Sequence, residues 1–262
     1  MRSEGRVHVD LRKENCGTME TTSLIALSSQ SGLRRQIDIV ANNIANMNTN
    51  GFKGERMMFV EHLVKSRGGG NLTGRKLSYV RDIATMTDHS IGSMQKTGNP
   101  LDLAVINEGF FVVQTDKGER YTRNGRFQLD DGGQIVTQSG DPLLSSGAQP
   151  FFLSPEDTEL TIARDGTIST NNGELGKIKL VTFDNLQQLK RFAGGLFSSK
   201  EKPKEVENPD IAQGTLEGAN VKPIFEMAKM IELSRKYDNI RNFIDREDER
   251  MRNMIKEMGP QR

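Results

Sequence analysis

Apolar residues alternating by three and four along both ends of the chain limit its fold more than any other feature. Near the N-terminus the positions are Ala26, Leu33, Ile37, Val40, Ile44 and Met47, with Gln30 interrupting. Near the C-terminus they are Met230, Leu233, Tyr237, Ile240, Ile244, Met251, Met254 and Met258, with Glu247 interrupting. This spacing lays one apolar stripe along a helix, and a sustained stripe reads as a coiled-coil seam. The pattern predicts a helix over Thr21–Met47, about 40 Å long, and a second over Val221–Met258, roughly 57 Å long. Asn50-Gly51 supplies a stop for the first, because glycine takes the left-handed conformation freely. Pro223 falls in the first turn of the second, where a missing N–H does no harm. Opposite charges four apart, Glu232 with Lys236 and Asp248 with Arg252, suit its solvated face.

Between the ends the pattern changes. Short apolar runs alternate with "DDGG" (130–133), "RDG" (164–166) and "NNG" (171–173), which punctuate hairpins. Strands are expected at Asp102–Ile106, Phe110–Gln114, Glu119–Thr122, Arg126–Leu129, Ile135–Thr137, Glu159–Ile162, Ile168–Thr170 and Gly176–Thr182. The expected fold class is α+β: long N- and C-terminal helices packing as a coiled-coil helical domain, with a central, mainly antiparallel β domain. The expected divisions are a leader over residues 1–18, with Met19 the natural start, and an N-terminal helix over 19–51. A connector over 52–76, a β domain over 77–217 and a C-terminal helix over 218–262 complete them. The "SRGGGNLTGRK" stretch (66–76) has linker composition, and mobility is expected of it.

Charge narrows the function classes. The net charge over 262 residues is +1, and binders of nucleic acid or anionic membrane want a basic excess. No apolar run is long enough to span a bilayer, and the first residues hold no apolar core of signal-peptide length. The single cysteine, Cys16, excludes an intrachain disulfide. From Met19 onward the net charge is 0, which favours self-association.

Catalysis finds little support. His8, His62 and His89 are scattered and lack metal-ligand spacing. "GSM" and "SSG" do not make a nucleophile elbow, and Gly68-Gly69-Gly70 lacks the Lys-Ser/Thr of a phosphate loop. Asp130-Asp131 lies in a turn, where acidic residues serve geometry. No cofactor or metal is expected.

The stretch "ANNIANMNTNGF" (41–52) is unusual for a helix end, with asparagine at five of its twelve positions. Asparagine competes for backbone groups and so weakens helices. Two readings fit: amides capping a solvated helix end, or amides bonded to neighbouring subunits in an assembly.

Three stretches carry a resemblance. "ANNIANMNTNGFK" (41–53), "TGNPLDLAVINEGFFVV" (97–113) with "YTRNGRFQLDDGGQIVTQSGDPLL" (121–144), and "LEGANVKPIFEMAKMIELSRKYD" (216–238) resemble, in order, the signatures of the axial proteins of the bacterial flagellum, the rod and hook group. Within that group "GTLEGANVKP" (214–223) is similar to the proximal-rod branch; a distal-rod or hook-type protein is the alternative. The resemblance implies a structural subunit of the basal-body rod that assembles with itself and other rod subunits. It also implies periplasmic location and export by the flagellar type III apparatus without a cleaved signal peptide. Nucleic acid, small-molecule substrates and direct membrane insertion are not expected.

The assembly residues it implies are Asn42, Asn43, Asn46, Asn48, Thr49, Gly51, Phe52 and Lys53 in the first signature. In the last they are Asn220, Val221, Met230, Ile231, Arg235, Tyr237, Ile240 and Ile244. Readings from other classes are a coiled-coil fibre or adhesin module and an enzyme on a β scaffold.

Overall fold

The computed structural model describes residues 11–65, 76–157 and 159–258. Residues 1–10 of the expected leader and most of the glycine-rich 66–76 stretch lie outside the described residues. The chain divides into two compact units. One takes in the N-terminal helix up to Ala41, Arg56–Thr85 and the C-terminal helix from Met227; the other takes in Asn42–Glu55 and Met86–Glu226.

The first unit holds most of α1 (Leu11–Ala45) and α2 (Pro223–Met258), together with β1 (Glu55–Lys65) paired to β2 (Lys76–Thr87). Helix α1 begins ten residues before the expected Thr21. Both charge pairs expected on α2 form, Lys236 with Glu232 at 2.6 Å and Arg252 with Asp248 at 2.9 Å. The coiled-coil domain expected from the seams does not form, and this corrects the fold class. Among the described side chains of the two seams, only Ala26 and Val40 on α1 and Leu233 on α2 are buried. A cleft of about 520 Å³ opens between the helices, lined by Ser29, Gly32, Leu33, Gln36, Lys236, Asn239 and Ile240. Leu33 and Ile240 line this opening instead of interlocking, so knobs do not find holes. The helices also share their unit with a β pair, whose first strand lies in the stretch expected to be a connector.

The second unit carries fifteen short strands in chain order. They are β3 (Met94–Lys96), β4 (Leu103–Val105), β5 (Phe110–Thr115), β6 (Gly118–Thr122), β7 (Phe127–Leu129), β8 (Ile135–Thr137), β9 (Leu160–Ile162) and β10 (Thr167–Thr170). The rest are β11 (Gly173–Lys177), β12 (Leu180–Thr182), β13 (Lys190–Arg191), β14 (Leu196–Ser198), β15 (Lys204–Glu205), β16 (Ile211–Gln213) and β17 (Thr215–Glu217). They are distributed over several small sheets. Six strands run in the order β13-β14-β6-β5-β12-β15, three in the order β11-β10-β9, and the pairs are β16-β4, β17-β3 and β7-β8.

Strand β5 explains why "FFVV" is continuously apolar. Successive side chains leave a strand on opposite faces. Phe111 and Val113 enter a core with Leu103, Phe127, Ile135, Ile168 and Ile211. Phe110 and Val112 enter a second core with Tyr121, Val181, Phe183 and Phe197. A strand covered on both faces needs apolar residues at every position. The turn motifs act as their composition demands: Asp130 Oδ1 accepts from the Gly132 and Gln134 N–H groups, and closes β7 onto β8.

The last strand lies beside the first. Thr215, Leu216 and Glu217 of β17 pair with Lys96, Gln95 and Met94 of β3. The Gly51 N–H donates to the Glu217 carbonyl at 2.7 Å. The beginning and end of this unit's chain are thereby brought together, and the conspicuous polar groups of the molecule collect there.

Candidate functional site

Helix α1 ends in the asparagine run, and each amide has a separate task. Asn46 Nδ2 donates to the Asn42 carbonyl at 2.9 Å and so satisfies a group the helix end leaves free. Asn43 is 2% exposed. Its Nδ2 donates to the Glu55 carbonyl, and its Oδ1 accepts from the Glu55 N–H, both at 2.9 Å. The side-chain amide thus imitates a strand partner and ties the first residue of β1 to the last turn of α1. Neither sequence reading of the amides describes Asn43, which is buried and bonded within its own chain.

The chain then reverses through Gly51, whose φ is +68°. A Cβ there would lie 2.4 Å from the Arg123 carbonyl carbon, so the turn requires glycine on both conformational and steric grounds. Phe52 follows into a buried position under the Arg191 guanidinium, 4.3 Å from the ring centroid. That guanidinium also pairs with Glu55 at 3.0 Å and donates to the Lys53 carbonyl.

Lys53 is the centre of the site. It is 1% exposed, and its Nζ donates to Glu217 Oε1 at 2.6 Å and to the Ser90 carbonyl at 2.7 Å. Glu217, equally buried, also accepts the Gly92 N–H at 2.9 Å. Arg123 stands 3.7 Å from the other Glu217 oxygen, and donates to the Val105 and Asn107 carbonyls. Burial pushes the Lys53 ammonium and the Arg123 guanidinium below their ordinary values, against the pull of Glu217. Two buried cations share one buried carboxylate, so the carboxylate is the group whose loss costs most.

Asn220 completes the fastening. Its Oδ1 accepts the Gly54 N–H at 2.7 Å, and its Nδ2 donates to the Asp88 carbonyl at 2.7 Å and to Ser90. Consecutive residues are therefore pinned by different partners: Lys53 by Glu217, Gly54 by Asn220 and Glu55 by Asn43.

The comparisons with known proteins fall on this knot. Residues 24–53 match the family described as flagella basal body rod protein. Residues 104–170 match the flagellar hook protein FlgE/F/G D1 domain, and residues 212–257 match the flagellar basal body rod FlgEFG protein C-terminal. The chain is 36% identical to the flagellar basal-body rod protein FlgF of Caulobacter vibrioides, over 92% of this chain and 99% of that protein. It is 31% identical to FlgF of Mesorhizobium japonicum, over 84% and 90%, and 28% identical to FlgG of Bacillus subtilis, over 87% and 96%. The chain belongs to the flagellar basal-body rod protein family. In this rod protein each matched segment gives one charged residue to the knot: Lys53 from the first, Arg123 from the second and Glu217 from the third.

The structure gathers Asn43, Gly51, Phe52, Lys53 and Asn220 of the sixteen residues singled out from the rod signatures, and leaves the others apart. Asn42, Asn48 and Thr49 are exposed, while Asn46 and Val221 are half-buried. Ile231 and Arg235 are exposed on α2, and Met230, Tyr237, Ile240 and Ile244 are half-buried there. Sequence reasoning missed Glu217, Arg123, Arg191 and His89. Glu217 and Arg123 lay inside the quoted signatures, "LEGAN" and "YTRNGRF". Their weight was invisible because a lone charged residue in a strand reads as solvated until its burial is known.

Proposed function

We propose that this rod protein is a non-enzymatic building block of the periplasm-spanning flagellar driveshaft. It assembles there with copies of itself and with other rod subunits. It reaches that site through the flagellar type III export apparatus without a cleaved signal peptide. The observation that carries the reading is the ordered match of three rod-family segments along a chain aligned with a curated FlgF over nearly its whole length.

The molecule's surface agrees with an assembling part. At the start of α2, Ile224 and Phe225 are 82% and 71% exposed, with Met227 and Ile231 also open to solvent. Exposed apolar side chains of this size favour burial against another protein. Among the described residues no helix is long and apolar enough to cross a membrane. Cofactors, nucleic acid and small-molecule substrates have no part in this proposal.

Deleting the gene tests the proposal. Loss of swimming, with the tagged protein recovered in purified basal bodies of the complemented strain, is the expected result. Normal motility of the deletion strain would overturn it. Placement in the proximal rod rests on "GTLEGANVKP" (214–223) and on the FlgF relatives. Complementation of a strain lacking FlgF, and failure to complement one lacking FlgG, is the expected outcome.

A further inference from the structure

Among the described residues His89 packs against the knot, and nothing in the rod reading uses it. Its ring centroid lies 6.3 Å from those of Phe110 and Phe197. With Lys53, Ser90, Glu108, Arg123 and Leu186 it lines a cavity of about 260 Å³. Among the described residues no side chain bonds the buried ring nitrogens, and the Leu186 backbone is the polar group facing them. The ring therefore sits neutral beside buried cations, with no carboxylate bonded to it.

The backbone around His89 is what the knot holds. The Asp88 and Ser90 carbonyls accept from Asn220. The Ser90 carbonyl also accepts from Lys53, and the Gly92 N–H donates to Glu217. Residues 88–92 cannot swing the ring into water without breaking these bonds. We propose that His89 is the trigger of an acid-sensitive latch: proton uptake by its ring releases residues 88–92 from Lys53, Asn220 and Glu217, and so frees the chain leading to both long helices.

The charges facing the ring decide the direction. Lys53, on the turn after α1, and Arg191, on β13, oppose a proton on His89. Asp88 favours one, and the Leu186 backbone opposes the depression as well. Glu108 and Arg123 stand on the cavity wall with opposite signs, and Glu217 is engaged with Lys53. Burial is the largest influence, and the ring is pushed down from 6.5 to about 4. The open segment regains the ordinary value and binds a proton first. The closed latch is thus fully favoured above about pH 6.5, and loses ground as pH falls toward 4.

Hydrogen exchange of the full chain, corrected for intrinsic rates, reads the latch directly. Between pH 7 and pH 5 the opening of the Gly92 and Gly54 amides should rise about tenfold, after allowance for the ring's partial exposure. The Leu144 amide, which donates to the Val112 carbonyl in the core, should change far less. His89→Phe keeps the ring's packing and should abolish the rise at Gly92 and Gly54, as should His89→Gln. Replacing His8 and His62 by glutamine should leave it intact. A pH response that survives both His89 substitutions overturns the proposal. So does a ring titrating near 6.5 by NMR in the folded protein, a readout that needs no variant.

Discussion

Lys53 and Ile231 both lie in segments that carry the rod-family likeness, yet Lys53 is 1% exposed and Ile231 56%. The first is a charged residue taken out of water; the second is an apolar one left in it. Each is the reverse of what its side chain prefers alone, and the reasons differ. The Lys53 ammonium has found partners inside the chain, so the cost of its burial is offset by Glu217 and by the Ser90 carbonyl. On α2, by contrast, Ile224, Phe225, Met227 and Ile231 stay exposed among the described residues. One family likeness therefore conceals two kinds of residue: those that close the subunit on itself and those that leave it unfinished. Substitutions should separate the two, since the first kind acts on the monomer and the second on the assembly.

The largest effect is expected at Glu217. Glu217→Ala removes the carboxylate shared by Lys53 and Arg123 and leaves two buried cations without it. It should cost about 3–5 kcal/mol in urea unfolding of the purified monomer. A loss near that of a surface substitution would mean that water already compensates these cations, and the contrast with α2 would collapse.

Gly51→Ala comes next. Its Cβ would overlap the Arg123 backbone in a left-handed turn, and a cost on the order of 3 kcal/mol is expected. Crystallography of the variant should find residues 50–52 displaced. An unmoved turn of wild-type stability would show that the backbone there yields easily.

Asn43→Ala sharpens the comparison within the asparagine run. It strands the N–H and carbonyl of Glu55, and about 2 kcal/mol of monomer stability should be lost. The same change at Asn46, which is half-buried and bonds to its own helix end and Thr49, should stay within about 0.5 kcal/mol. Equal effects at the two positions would return Asn43 to the role of an ordinary helix cap.

The smallest effect on the monomer belongs to α2. Ile224→Asp and Phe225→Asp should change unfolding by less than about 0.5 kcal/mol, because both side chains already face water. Basal-body yield and swimming should nevertheless fall sharply. Normal assembly with both charges present would show that this face is not buried in the rod.

Much of the architecture was legible because it depends on local periodicity. The α2 stripe, the hairpin turns at 130–133, 164–166 and 171–173, and the continuous "FFVV" strand all follow from spacing and turn chemistry. The β1–β2 pair was missed because its strands flank a glycine-rich stretch, and composition there outweighed "ERMMFVEHLVK" (55–65). The late strands β13 to β17 are two or three residues long, too short to show alternation. The coiled coil was over-read. A seam states which side of a helix is apolar and says nothing of whether the facing helix can fill it.

By itself the sequence determined where the helices and turns lie, and it carried the family likeness through its three signatures. Those properties reside in contiguous residues, and a reader of the chain meets them in one place. Only the tertiary structure decided which charged residues are buried and which apolar ones are exposed. Lys53 and Glu217 are separated by 164 positions, and neither alone differs from a solvated surface residue. Burial of a charge is favourable only when its partner arrives from elsewhere in the fold, and that meeting is written in no single segment.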